Sequence, residues 1–214
     1  MREEWDMKLY HSPGACSLAC RISLHESGTG ADFERVDLKT KITEHGADFR
    51  AINPKGYVPM LVLDDGAAIT EIDAVLDFLA DRDPKLAPDG PLARTRLIEM
   101  LSYLSTELHA AFKPLWHDAS EADRARAREA VAKRLELLER RMRHNYLLGP
   151  RFTVTDAYLF VMLRWAKGFG VPLSPRLIDY FGRILERSAV RRALAEEGLE
   201  ETAPLPQPVL TVAS

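Results

Sequence analysis

The chain has 214 residues, 46% of them hydrophobic, with 29 lysines and arginines against 32 aspartates and glutamates. Such a length and apolar fraction support one large domain or two small ones without cross-links. The near balance of charge gives no electrostatic case for nucleic acid or an anionic membrane surface as partner.

Residues 1–6 (MREEWD) read as a short charged extension outside the fold. Residues 7–10 read as a strand, and residues 12–17 (SPGACS) turn sharply at Pro13 and Gly14 into a helix expected over 17–27, with Leu18 and Ile22 on one face and Gly28 as its stop. Cys16 falls where the first helical turn begins. Unpaired N–H groups and the helix dipole favour an anion there, so a thiolate at Cys16 would be stabilised; the alternative is a small buried residue. The second cysteine, Cys20, lies four residues on, a spacing that makes neither a CxxC redox motif nor a zinc framework. Reduced thiols in the cytoplasm fit this usage, no metal site is expected, and no window approaches a membrane span or an export signal.

A second strand is expected over 33–38, which makes a βαβ unit with its two strands parallel. Residues 39–51 are polar and weakly helical, and NPKGYVPML follows. Asp65 and Gly66 mark a hairpin between strands over 60–63 and 67–70, after which Ile72, Val75, Leu76 and Leu79 repeat at helical spacing. Pro59 stands directly before an apolar strand, where a trans proline removes a ladder donor. A cis bond between Val58 and Pro59 accounts for it and turns the Val58 N–H and C=O outward toward a peptide-like ligand; an ordinary trans proline is the alternative.

Residues 81–91 (DRDPKLAPDGP) break all periodicity and read as a linker, beyond which every pattern is helical. Leu97, Leu101, Leu104 and Leu108 form one apolar stripe, with Ser102, Ser105 and His109 on an adjacent polar one. Ser120 with Asp123 looks like a cap for a long charged helix whose buried stripe is Val131, Leu135, Leu138 and Met142. Thr153 and Asp156 form a capping box before AYLFVMLRWA, apolar on nearly all sides and expected to be the buried central helix. Two shorter helical patterns follow, around 177–187 and 190–197, and a Pro-rich tail ends the chain.

SPGACS, NPKGYVP and the pair Thr70 and Glu71, in this order over this pattern, resemble the thioredoxin-like domain of bacterial glutathione S-transferases, closest to the beta class. The match runs from residue 7 to about 199. The resemblance implies an α/β plus all-α fold: an extension at 1–6, a thioredoxin-like domain (βαβ, then ββα) at 7–82, a linker at 83–91, a helical bundle at 92–199 and a tail at 200–214. It implies glutathione as co-substrate, a small apolar electrophile, a cytoplasmic homodimer and no metal.

The resemblance also assigns roles. Cys16 and His109 face the glutathione thiol, and Cys16 can form a mixed disulfide with it. Ser17 offers its N–H to the thiolate, Lys41 meets the glycyl carboxylate, and Val58, beside Tyr57, pairs with the cysteinyl backbone. Glu71 and Ile72 stand at the γ-glutamyl end, and Ser102 contacts glutathione across the dimer. His11, Phe112, Trp116 and Trp165 are candidate walls of the electrophile pocket, and Asp156 is assigned to folding. The chain departs from the family pattern at His11 (commonly tyrosine), Ile72 (Gly or Ser), Ala110 (frequently lysine) and Ser102 (asparagine). The branched side chain of Ile72 is expected to crowd the γ-glutamyl carboxylate, and each lost hydrogen bond to a charged group costs about 1.5–3 kcal/mol. Three functions follow: conjugation of glutathione to an electrophile, thiol–disulfide exchange through Cys16 with Cys20 one turn away, or non-catalytic binding by a decayed site.

Overall fold

The computed structural model describes residues 7–199, so the extension at 1–6 and the tail at 200–214 lie outside the described residues. Strand β1 (Met7–His11), helix α1 (Ser17–Ser27) and strand β2 (Asp32–Arg35) form the expected unit, with β1 and β2 parallel. Gly28 ends α1 with φ 72, a left-handed conformation that glycine adopts without a Cβ penalty. Strand β3 (Met60–Leu63) runs antiparallel to β1, and β4 (Ala68–Thr70) returns on β3 around Asp65 and Gly66, giving the sheet order β2-β1-β3-β4. Leu9 and Leu61 face each other across the β1/β3 pair and are both fully buried. Helix α3 (Ile72–Arg82) covers the sheet with Ile72, Val75, Leu76 and Leu79.

One expectation changes here, and an open reading of 39–51 as a loop or a short helix is settled. β2 stops at Arg35 instead of running to 38, because the chain turns back on itself through isolated bridges from Val36 to Thr43 and from Ile42 to Asp48. The polar stretch after it is tight turns with Lys41 at φ 63; only helix α2 (Phe49–Ile52) is helical. A single left-handed residue is enough to break a weak helix. Phe49 anchors this stretch in a small core with Tyr10, Val36 and Met60.

After a 3₁₀ turn at Pro84–Leu86 the second half is helical. Helix α4 (Ala93–Tyr103) passes directly into a π-helical segment, Leu104–His109, and α5 (Lys113–Trp116) follows. Helix α6 (Glu121–Arg141) is capped by Ser120, whose hydroxyl accepts the Asp123 N–H at 3.1 Å. The capping box forms at the start of α7 (Val154–Gly168), and the chain closes with α8 (Pro175–Leu185) and α9 (Ser188–Glu196). The carboxylate of Asp156 accepts from the Thr153 N–H and Leu147 N–H, each at 2.8 Å, and from the Tyr180 hydroxyl at 2.7 Å. That is folding work, as expected of it. Helices α7 and α9 pack on α1, so the helical half and the α/β half share one apolar core.

Candidate active site

The SPGACS turn is held from three directions. The Ser17 hydroxyl accepts the Ser12 N–H at 3.1 Å and donates to the Ser12 carbonyl at 3.3 Å. The Gly14 N–H donates to Glu197 at 2.8 Å, and the Gly14 carbonyl accepts the Trp165 indole N–H at 2.8 Å. The Ser17 side chain is therefore committed to the turn, and its N–H is what it offers a ligand.

Cys16 is half-buried at the N-cap of α1, its Sγ 3.7 Å from the Val58 carbonyl, and the bond between Val58 and Pro59 is cis. Burial pushes the Cys16 thiol up to about 12, and Glu71 and Asp73 push the same way; its own N–H and that of Ser17 only partly oppose this. Of the two readings of Cys16, the buried thiol is favoured: the cost of desolvating an anion exceeds what two N–H dipoles return. Cys20 is fully buried and also pushed up by burial, and both cysteines are free.

The second wall is NPKGYVP. The Lys41 ammonium donates to the Gly56 carbonyl at 2.9 Å and lies 5.4 Å from the Tyr57 ring centroid. Tyr57 is exposed, and Asn53 Nδ2 pins its carbonyl at 2.8 Å. Lys55 donates to Glu71 at 2.6 Å and to the Thr70 hydroxyl at 3.0 Å. Glu71 has φ 72, a strained value for a side-chain-bearing residue and of the kind that collects at ligand clamps. Ile72 corrects another expectation. Its side chain is buried in the main core, only 8% exposed, because position N1 of α3 points it at the sheet. Its burial argues against crowding of the γ-glutamyl position.

The third wall is His109, at the end of the π-helical segment. Its Nδ1 is 2.7 Å from the Tyr158 hydroxyl, and the rings of Trp165 and Trp116 meet it edge-on at 4.8 and 5.4 Å. Burial lowers its pKa to about 4, so the imidazole is neutral at pH 7. Burial also pushes up the Tyr158 hydroxyl, with Cys16 and Asp73 close enough to add to the effect, so the phenol keeps its proton and shares one hydrogen bond with Nδ1; in the tautomer in which Nδ1 accepts it, Nε2 carries the ring proton.

The electrophile-pocket residues divide. Trp116 is half-buried beside His109, whereas Phe112 is fully buried and Trp165 is 4% exposed, so these two back the cage from the core. His11 is corrected outright. Its Nε2 lies 2.7 Å from Arg21 and its Nδ1 3.3 Å from Glu197, in a buried polar cluster that ties β1 and α1 to the end of α9. Ser102 is exposed on α4, apart from the walls described. Sequence reasoning missed Tyr158, because a helix apolar on all sides gives no periodicity by which to single out one face. It also missed Glu197 and Asp73, which look like ordinary helix-end charges. Among the described residues no group of three or more His, Cys, Asp or Glu is placed to hold a metal ion.

The fold and sequence recur in known proteins. Residues 14–82 match the family model for the glutathione S-transferase N-terminal domain and residues 121–183 that for the C-terminal domain. The chain is 42% identical over 201 residues to the Escherichia coli glutathione S-transferase GstA, covering 91% of this chain and 100% of that protein. A Xanthomonas campestris glutathione S-transferase is 37% identical over 207 residues, covering 90% of this chain and 100% of its own. Among solved structures, a sphingomonad glutathione S-transferase complexed with glutathione superposes with a TM-score of 0.85 at 44% identity, covering 90% of this chain and 100% of that one. The beta class enzyme of Sphingomonas chungbukensis gives 0.84 at 45% identity over the same shares. On its sequence and its fold, the chain belongs to the glutathione S-transferase family.

Proposed function

We propose that this protein conjugates the thiolate of glutathione to small apolar electrophiles. The observation that carries it is the contact of Cys16 Sγ with the Val58 carbonyl beside the cis proline. An extended tripeptide that pairs with Val58 presents its cysteinyl N–H to that carbonyl. The Cys16 S–H is then displaced and becomes a donor to the incoming sulfur. The Ser17 N–H and the Nε2–H of neutral His109 complete a set of donors for an anion, and each unit by which they lower the glutathione thiol is worth about 1.4 kcal/mol. Lys41 meets the glycyl carboxylate. At the other end Glu71 takes the γ-glutamyl ammonium in place of Lys55, and the N-terminal N–H groups of α3 take its carboxylate. The thiolate attacks the electrophilic carbon, which rests on Trp116 over His109; the carbon–sulfur bond forms as the leaving group departs with its electron pair.

Thiol–disulfide exchange through Cys16 is the weaker reading, because a thiol pushed up to about 12 is a poor nucleophile at neutral pH. Decay of the site is weaker too, since Ile72 is turned into the core. A second copy of the chain covers the outer face of α4, where Leu92 and Ile98 are 54% and 48% exposed, and so brings Ser102 to its partner's glutathione. Reduced cysteines fit a cytoplasmic enzyme. The test is calorimetric titration with glutathione followed by conjugation to an activated aryl halide. Micromolar to low-millimolar binding with turnover is expected; no heat and no product from folded protein would overturn the reading.

A further inference from the structure

Asp73 belongs to none of the roles assigned above, yet it lies among them. It stands two residues after Glu71 in the first turn of α3, and the Ser105 hydroxyl donates to its Oδ2 at 2.5 Å. Ser105 is on the π-helical segment, one turn before His109, so the bond bridges the glutathione-binding edge and the helix that carries the imidazole. The other oxygen, Oδ1, is buried without a hydrogen-bond partner among the described residues. Burial and the like charge of Glu71 make an anion there unwelcome. Glu71 adds a like charge from the start of α3, Cys16 faces it from α1, and Tyr158 from α7. Lys55, the cation paired with neighbouring Glu71, is engaged there.

We propose that Asp73 is a wall of the thiol site whose carboxylate charge restrains ionisation of a glutathione sulfur seated beside Cys16, so that it sets the lower pH limit of conjugation. The physical reason is Coulomb's law in a poorly solvated cleft: one unit charge at 8–10 Å and an effective dielectric near 20 moves a neighbouring ionisation by on the order of one pKa unit. Burial and Glu71 raise the Asp73 carboxyl, while the Ser105 hydrogen bond holds it down and keeps the charge in place. The bond to Ser105 thus maintains the restraint.

This inference rests on the proposed glutathione chemistry, and one experiment separates the two. The thiolate absorbance of bound glutathione is titrated against pH as a difference spectrum, with the pH–rate profile of conjugation beside it, for wild type, Asp73→Asn, Asp73→Val and Ser105→Ala. Both charge-removing variants are expected to shift the thiol titration and the acid limb of the rate downward by about half a unit to one unit, a 3- to 10-fold gain in rate at the acidic end. Asp73→Val keeps the test available if Asp73→Asn does not fold. Ser105→Ala, which removes the hydrogen bond that keeps the charge in place, is expected to shift the acid limb the same way by a smaller amount. If wild type shows neither thiolate nor product at any pH, the transferase reading itself falls. If wild type titrates and the Asp73 variants coincide with it or move upward, the role of Asp73 is overturned.

Discussion

The indole N–H of Trp165 donates to the carbonyl of Gly14 at 2.8 Å, joining the buried central helix to the turn that presents Cys16. The two residues are 151 positions apart in the chain. Replacing Trp165 with phenylalanine leaves the Gly14 carbonyl without its partner in a buried setting, a loss of about 1–3 kcal/mol. The urea midpoint should fall accordingly, and conjugation should weaken because the turn loses one of its anchors. An unchanged midpoint would mean that the bond contributes nothing net.

Cys16 should react slowly. A thiol raised from 9.0 to about 12 has three tenfold steps less thiolate, partly offset by the higher intrinsic nucleophilicity of a more basic sulfur. Alkylation by iodoacetamide at pH 7, followed by mass spectrometry, should be on the order of 30- to 100-fold slower than for a free cysteine. Its rate should still be climbing at pH 10. Replacement by serine, which keeps a donor, should retain most conjugation, whereas alanine should not. Alkylation as fast as that of a model thiol would restore the thiolate reading.

His109 makes stability depend on pH in one window. Its folded pKa of about 4 lies below the ordinary 6.5, so between those values the unfolded chain binds a proton that the folded chain does not. Stability from this residue is therefore full above about 6.5 and is lost as pH falls toward 4, with a slope approaching 1.4 kcal/mol per unit. Urea titrations across that range should show the slope in wild type and a flatter one in His109→Phe. Equal slopes would place the titrating group elsewhere.

Ile72 should behave as a core residue. Its replacement by alanine is expected to cost about 2–5 kcal/mol in unfolding free energy and to leave glutathione affinity within about threefold. Binding that tightens markedly on truncation would show that the branched side chain does reach the γ-glutamyl carboxylate.

Much of the frame was legible because it is written in local chemistry. Gly28 stops α1, Asp65 and Gly66 turn the hairpin, and Thr153 with Asp156 start α7, since each acts on backbone within a few residues of itself. The cis bond before Pro59 was foreseen as one of two alternatives, from a missing donor at a strand start. Where the code was weak, over 39–51, the sequence left a loop or a short helix open, and the tertiary bridges from Val36 and Ile42 together with helix α2 settled it.

The sequence by itself determined which elements form and which faces they bury, because periodicity, caps and turn residues act at short range, and its SPGACS and NPKGYVP motifs carried the family resemblance. Only the tertiary structure decided what the polar residues do. Burial makes Cys16 a thiol and His109 a neutral imidazole, turns Ile72 inward and His11 into a buried cluster, and sets Asp73 beside Ser105, 32 residues away. Charge state and hydrogen-bonding partner depend on local solvation and on neighbours brought from distant parts of the chain, and neither is encoded in the spacing of residues along one helix.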